Sequence, residues 1–302
     1  MAAAPTGILV MAHGGDPAWD ARVDAALAEL RTRAPVALAF GMADRRTLQA
    51  GIDSLRSRGA ERVAVVRMFL SGDSFRDQTL YLLGLSSRPP AVFLHHGGHG
   101  GHGPSSDTPP PPVALGGTRV ATHPDGLMDW PGVGPILVER ARAAGAEPGG
   151  GGVVIIGHGM GDEAENGAVL DRMEAAADSL RQAGLGPVSV ETLREDWPEA
   201  RAAAEARIRE RVAAASHTGI PVVLPFRLTG FGPYADVLDG LEYRPGEGLL
   251  PHPSVARWIE ERATAVACDR GWAPPLASHP CIPVDAARGS SHAHRIGPVG
   301  RP

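Results

Sequence analysis

The sequence contains no lysine, and all of its basic side chains are arginines. This absence excludes a Walker A phosphate loop and Schiff-base catalysis, because both chemistries need a lysine amine. The run of glycines at 149–152 is therefore not a nucleotide-binding loop. We interpret it as a flexible joint between two parts of the chain.

Other scarcities exclude further classes of protein. Aromatic residues make up 5% of the 302 residues and the net charge is −5, so neither base stacking nor a basic nucleic-acid surface is expected. Cys268 and Cys281 are too far apart for a CxxC metal motif, and a disulfide between them would need a secretory context. No apolar run approaches the roughly 20 residues that span a bilayer. We therefore expect neither nucleic-acid nor membrane partners.

The amino-terminal residues bear on the compartment. Met1 is followed by three alanines, and the chain then enters an apolar run without an intact signal peptide. A cytoplasmic protein is the expectation. The alternative is a periplasmic protein from which a signal peptide preceding Ala2 has been removed.

Two segments of the chain share one pattern, in which a continuous apolar run ends in a His-Gly turn. The first, 7–15, contains His13, and the second, 152–160, contains His158. Such a run is typical of a strand that is buried on both faces in a parallel sheet. The carboxyl ends of these strands are where an open α/β sheet binds ligands. The two histidines are therefore expected at the mouth of one cleft.

The pattern continues downstream in the same order. Residues 62–70 match 220–228 as strands followed by a glycine-containing loop, and His123-Pro124 matches His252-Pro253. Each His-Pro pair is predicted to introduce a helix. Amphipathic helices are predicted over four further segments, which are 21–31, 47–58, 168–181 and 198–215. Alternating strands and helices of this kind predict right-handed crossovers and parallel sheets.

The order of these segments resembles the CbiX/SirB sirohydrochlorin chelatases, the class II chelatases, in their long tandem-repeat form. The His-Gly turns, Phe-Leu-Ser-Gly at 69–72 and Leu-Leu-Pro-His-Pro at 249–253 carry the resemblance. It implies an α/β fold of two tandem chelatase-like domains, each a parallel sheet with helices on both faces. The expected divisions are a first repeat at 1–146 with a His/Pro-rich insertion at about 86–113, a second at 147–268, and a largely disordered tail at 269–302.

The resemblance also implies a reaction, the insertion of cobalt or iron into sirohydrochlorin or a related tetrapyrrole. The divalent metal (Co²⁺, Fe²⁺ or Ni²⁺) is then a substrate, and no organic cofactor is expected. A free tetrapyrrole loses two pyrrole protons as the metal enters, and imidazole both accepts protons and ligates such metals. His13 and His158 are therefore the candidate catalytic and metal-binding residues.

One departure from the family pattern leaves an alternative open. Relatives usually carry a second histidine in the loop after the Phe-Leu-Ser strand, but neither 71–76 nor 229–234 contains one. Either His13 and His158 share the task, or the metal site is altered or lost. In the latter case the chain is a non-catalytic metal- or tetrapyrrole-binding protein on the chelatase fold.

Two further groups of side chains are candidates for binding. Sirohydrochlorin-type macrocycles carry carboxylates, which arginine binds in a bidentate manner. The candidate arginines, with solvated surface positions as the alternative, are Arg67, Arg76, Arg227 and Arg244. Four imidazoles on a glycine-rich segment can wrap a borderline metal, which predicts a metal-capture loop rather than a neutral low-complexity insert. The histidines of this loop are His95, His96, His99 and His102.

Overall fold

In a computed structural model, the protein consists of two four-stranded parallel sheets, each with helices on both faces. The structure describes residues 6–93, 109–276 and 281. The strand order is β2-β1-β3-β4 in the first sheet and β6-β5-β7-β8 in the second. The first half contains β1 (Thr6–Ala12), α1 (Pro17–Ala26), α2 (Ala28–Arg33), β2 (Val36–Phe40), α3 (Arg45–Ser57), β3 (Arg62–Arg67), α4 (Arg76–Leu82), β4 (Arg119–Thr122) and α5 (Val133–Ala143). The second half contains β5 (Val153–Gly157), α6 (Glu163–Gln182), β6 (Val188–Thr192), α7 (Pro198–Ala215), β7 (Val222–Phe226), α8 (Tyr234–Val237), β8 (Arg244–Pro245) and α9 (Pro253–Asp269).

The tandem α/β fold predicted from the sequence is confirmed. Strands β1 and β5 are buried along their whole length, as their unbroken apolar runs predict. Asp16, Asp44 and Asp162 are the N-cap residues of α1, α3 and α6. Their side chains accept hydrogen bonds from amides of the first turn, which defines where each helix begins. No helix in the described part of the chain is both long and apolar enough to cross a membrane.

The last helix of each repeat packs on the sheet of the other repeat. Helix α5 lies against α6 and β7, whereas α9 lies against β1, β3 and β4. Trp258 of α9, fully buried, packs edge-on against His123 of the first half, with ring centroids 5.8 Å apart. One apolar core therefore runs through both sheets. The packing of α5 and α9 therefore crosses the expected boundary between 146 and 147.

Backbone hydrogen bonds establish which positions of the two halves correspond. The amide of Leu127 donates to the carbonyl of Phe69, and the amide of Leu249 donates to that of Arg227, each at 2.9 Å. This places Phe69 opposite Arg227 in the repeat, and the match of 62–70 with 220–228 is confirmed.

The match between the two His-Pro pairs is wrong. His252 caps α9 through its side chain, which accepts a hydrogen bond from the amide of Ser254, as a helix-introducing residue should. His123 instead follows β4 directly, and a 3₁₀ turn (Leu127–Asp129) separates it from the start of α5 at Val133. The shared dipeptide does not mark equivalent positions, because Pro stabilises turns as well as helix starts.

Part of the predicted tail is ordered, so the expectation of disorder from 269 onward is wrong for 270–276. Trp272 and Leu276 are buried, and the hydroxyl of Thr6 donates to the carbonyl of Ala273 at 2.6 Å. Cys268 forms a disulfide with Cys281, which the sequence did not lead us to expect. Residues 277–280 and 282–302 lie outside the described residues.

Candidate functional site

A cleft of about 530 Å³ opens between the two halves, and both repeat histidines line it. His13 follows β1 and His158 follows β5, so each stands at the carboxyl end of an inner strand of its sheet. This confirms the prediction that the two histidines share one cleft. The volume falls in the range of roughly 300–1,000 Å³ that small-molecule sites occupy.

The two His-Gly turns orient their imidazoles in the same way. Gly14 (φ +82°) and Gly159 (φ +86°) adopt the left-handed conformation, which other residues rarely tolerate. Nδ1 of His13 lies 2.7 Å from the Gly14 carbonyl oxygen, and Nδ1 of His158 lies 2.9 Å from that of Gly159. A carbonyl only accepts, so Nδ1 is the protonated nitrogen that donates in each ring. Nε2 is therefore the nitrogen whose lone pair can bind a metal ion or a proton.

The surroundings of the two imidazoles differ. Nε2 of His158 lies 3.2 Å from Oδ2 of Asp196, and the ring packs edge-on against Trp197 with centroids 5.8 Å apart. His13 is held edge-on by Trp19 and Phe75, with centroid distances of 6.4 and 6.5 Å. Among the residues that the structure describes, no carboxylate lies within ion-pair distance of His13.

The rest of the cleft is mainly apolar. Thioether side chains are flexible and polarisable, so a wall rich in methionine adapts to the faces of a large, flat ligand. The apolar side chains that line the cleft are Trp19, Met42, Phe69, Leu70, Phe75, Met128, Met160, Val169, Met173, Phe226 and Leu228.

Of the four candidate arginines, only Arg227 lines the cleft. Its guanidinium donates to Oε1 of Glu195 at 2.6 Å and lies over the ring of Tyr234, 5.6 Å from the centroid. Burial raises the pKa of the Tyr234 phenol, so this ring stays neutral beneath the cation. These two contacts hold the guanidinium in one orientation at the cleft wall.

The other three arginines do not reach the cleft. Arg67 is buried and donates to the carbonyl oxygens of Ser74, His123 and Pro124, so it ties loops together. Arg76 begins α4 at the surface outside the cleft lining.

Arg244 lies at the opposite end of its sheet. It pairs with Val222, the first residue of β7, and its guanidinium donates to the Gly145 carbonyl oxygen at 2.8 Å. It therefore stands at the amino edge, away from the carboxyl edge where the histidines lie.

The other histidines that the structure describes do not line the cleft. His123 is buried beside Trp258, and His252 contacts Glu139 through Nε2 at 3.0 Å. The predicted metal-capture histidines, His95, His96, His99 and His102, lie outside the described residues. Within the described part of the chain, no three His, Cys, Asp or Glu side chains form a ready-made metal site.

Two cleft residues were missed in the sequence, Glu195 and Asp196. They follow β6, which pairs directly with β5, so the loop after it opens at the same sheet edge as His158. Charged side chains just after a parallel strand are the signal that would have found them.

Solved structures of chelatase-like proteins share this fold. SirB from Bacillus subtilis with Fe³⁺ superposes with a TM-score of 0.62 at 15% identity, covering 88% of this chain and 98% of that one. SirB from Bacillus subtilis subspecies spizizenii in complex with cobalt gives a TM-score of 0.53 at 14% identity, covering 85% and 93%. A multi-domain protein from Deinococcus radiodurans, described as structurally similar to chelatases, gives 0.53 at 19% identity, covering 86% and 55%. No protein-family model and no curated protein matches the sequence. The chain thus has the fold of SirB-type chelatases.

Proposed function

We propose that this protein inserts a divalent metal ion, Co²⁺ or Fe²⁺, into sirohydrochlorin or a related carboxylated tetrapyrrole. The observation that carries the proposal is the single cleft that both repeat histidines line. An apolar wall suits the faces of the macrocycle, and imidazole suits both metal ligation and acceptance of the pyrrole protons. The shared fold with two SirB structures, one with Fe³⁺ and one with cobalt, supports the same reaction.

The remaining features fit around this reaction. Arg227 is placed to bind a carboxylate at the rim of the macrocycle, and the histidines of the loop at 95–102 would gather metal near the protein. A structural disulfide is typical of oxidising compartments, so the bond between Cys268 and Cys281 favours the periplasmic alternative.

The direct test is metal insertion. The protein is mixed with sirohydrochlorin and Co²⁺, Ni²⁺ or, without oxygen, Fe²⁺, and the change in macrocycle absorbance is compared with the protein-free rate. We expect acceleration with at least one metal. Tight binding of the macrocycle without acceleration for any metal would instead identify a non-catalytic binding protein. This is the alternative that follows from the absence of histidine in the loops at 71–76 and 229–234.

Arginine variants test how the macrocycle is held. Arg227→Gln is expected to raise KM for the tetrapyrrole by about 10- to 100-fold with little change in kcat, because a charge-assisted hydrogen bond contributes roughly 1.5–3 kcal/mol. Arg244→Gln is the matched control, since that guanidinium lies at the other end of the sheet. Thermal unfolding of both variants checks the fold, because Arg227→Gln also leaves Glu195 without its partner. Equal KM values would remove Arg227 from the binding site.

A further inference from the structure

Within the described part of the chain, the charged side chains that line the cleft all belong to one of its two walls. The amides of Gly41 and Leu193 donate to the carbonyls at the ends of β1 and β5, at 2.9 and 2.8 Å, so these residues correspond in the two halves. In the first half, the loop that begins at Gly41 contributes Met42 to the cleft. In the second half, the corresponding loop contributes Glu195 and Asp196. One wall therefore has a thioether where the other has two carboxylates.

The next strand shows the same asymmetry. Phe69 and Arg227 correspond by their backbone hydrogen bonds, and both line the cleft. The first wall thus presents an aromatic ring where the second presents a cation. Among the residues of the first half that the structure describes, His13 is the only titratable side chain in the cleft lining.

The two carboxylates of the second wall have different surroundings. The Glu195 side chain is 12% exposed and is bound to Arg227 at 2.6 Å, so it is engaged in holding that guanidinium. The Asp196 side chain is 73% exposed, and its Oδ2 lies 3.2 Å from Nε2 of His158. Asp196 is the carboxylate that stands beside an imidazole and open to solvent.

The distance between these two atoms suits a shared metal ion. Two ligands that each lie about 2.1 Å from a metal and 3.2 Å from one another subtend roughly 100° at it, between the octahedral and tetrahedral values. A borderline divalent metal accepts both an imidazole nitrogen and a carboxylate oxygen.

We propose that His158 and Asp196 form the pair that delivers the metal and receives the protons, while the first wall, with His13, holds a face of the macrocycle. This inference rests on the proposed function. As the metal leaves the pair, its bonds to Nε2 of His158 and Oδ2 of Asp196 break, two pyrrole N–H bonds break, and four metal–nitrogen bonds to the macrocycle form. The two released protons pass to the lone pairs that the metal has vacated. Asp196, being exposed, then exchanges its proton with water.

The test compares His158→Ala and Asp196→Asn with His13→Ala in the full chain. The first two are expected to lower kcat for metal insertion by about 100-fold or more, as loss of a ligand or proton acceptor does. Macrocycle binding without metal, followed by its fluorescence, should change less than about threefold. His13→Ala should show the converse, a KM for the macrocycle about 10-fold higher and a kcat within about threefold.

Binding of Co²⁺ alone gives an independent measure. Calorimetric titration should show one fewer bound equivalent for His158→Ala and Asp196→Asn than for wild type, whereas His13→Ala and Glu199→Gln, an exposed carboxylate outside the cleft, should match wild type. Histidines elsewhere in the chain contribute equally to every variant. Asp196→Glu should restore part of the lost equivalent.

The outcomes separate the two proposals. If wild type does not accelerate insertion, the proposed function fails, and the Co²⁺ titration still decides whether the pair binds metal. If wild type is active but His13→Ala lowers kcat 100-fold while His158→Ala and Asp196→Asn do not, the assignment to the second wall is wrong. Unchanged Co²⁺ binding in both second-wall variants would equally overturn it.

Discussion

Trp258→Ala is expected to lower the free energy of unfolding of the whole protein by about 4 kcal/mol. Trp258 is fully buried, and truncating a buried Trp typically costs about 3–5 kcal/mol through lost burial and the cavity left behind. The residue belongs to the second repeat but packs on the first sheet, so the loss weakens the contact on which both halves depend. Urea denaturation followed by far-UV circular dichroism measures the effect.

The conservative variant and the shape of the transition serve as controls. Trp258→Phe keeps an apolar ring and should lose less than half as much stability. One cooperative transition is expected for wild type, because a single core crosses both sheets. Two separate transitions in wild type, or a Trp258→Ala loss below about 1 kcal/mol, would contradict the exchanged packing of α9.

A second expected result is a loss of stability below neutral pH that depends on His123. Burial lowers the pKa of His123 from 6.5 to about 4, although Asp125 opposes the shift. The imidazole is therefore neutral in the folded protein, while the unfolded chain binds a proton below pH 6.5. Between pH 6.5 and 4 the unfolded state binds more protons, so stability falls as the pH falls through this window. His123 lowers the free energy of unfolding by about 3 kcal/mol over the whole pH window, and about 2 kcal/mol of this loss occurs between pH 7 and 5.

Replacement of His123 isolates this contribution. Neither ring nitrogen of His123 has a hydrogen-bond partner in the described part of the chain, so His123→Leu removes a titrating group without breaking a hydrogen bond. Between pH 7 and 5, the free energy of unfolding of His123→Leu should fall by about 2 kcal/mol less than that of wild type. His217→Leu, at an exposed position, should keep the wild-type dependence. Identical pH profiles for wild type and His123→Leu would show that His123 does not stay neutral in the fold.

Much of the fold could be read from local patterns. The apolar runs before His13 and His158 predict buried parallel strands, because only a strand covered on both faces tolerates an unbroken apolar sequence. The helix predicted over 198–215 coincides with α7, since its spacing of apolar residues is a property of the segment alone. The shared cleft followed from the same reasoning, as both histidines follow inner strands.

The predictions that fail concern residues whose role depends on a distant part of the chain. Arg67 ends β3 and Arg227 directly follows β7, yet Arg67 donates its hydrogen bonds to loop carbonyls whereas Arg227 lines the cleft. His123 and His252 share a Pro neighbour, but only His252 caps a helix. Local sequence cannot separate these cases, because the deciding partners lie many residues away.

By itself, the sequence determined the tandem α/β architecture and the placement of His13 and His158 at strand ends, since both follow from periodicity and repetition within short segments. Only the tertiary structure decided that the last helices are exchanged, that Cys268 meets Cys281, and that the charged groups of the cleft gather on the wall of the second half. The physical reason is that these features depend on which surfaces pack together, and packing partners are chosen by the burial of whole faces rather than by any one segment.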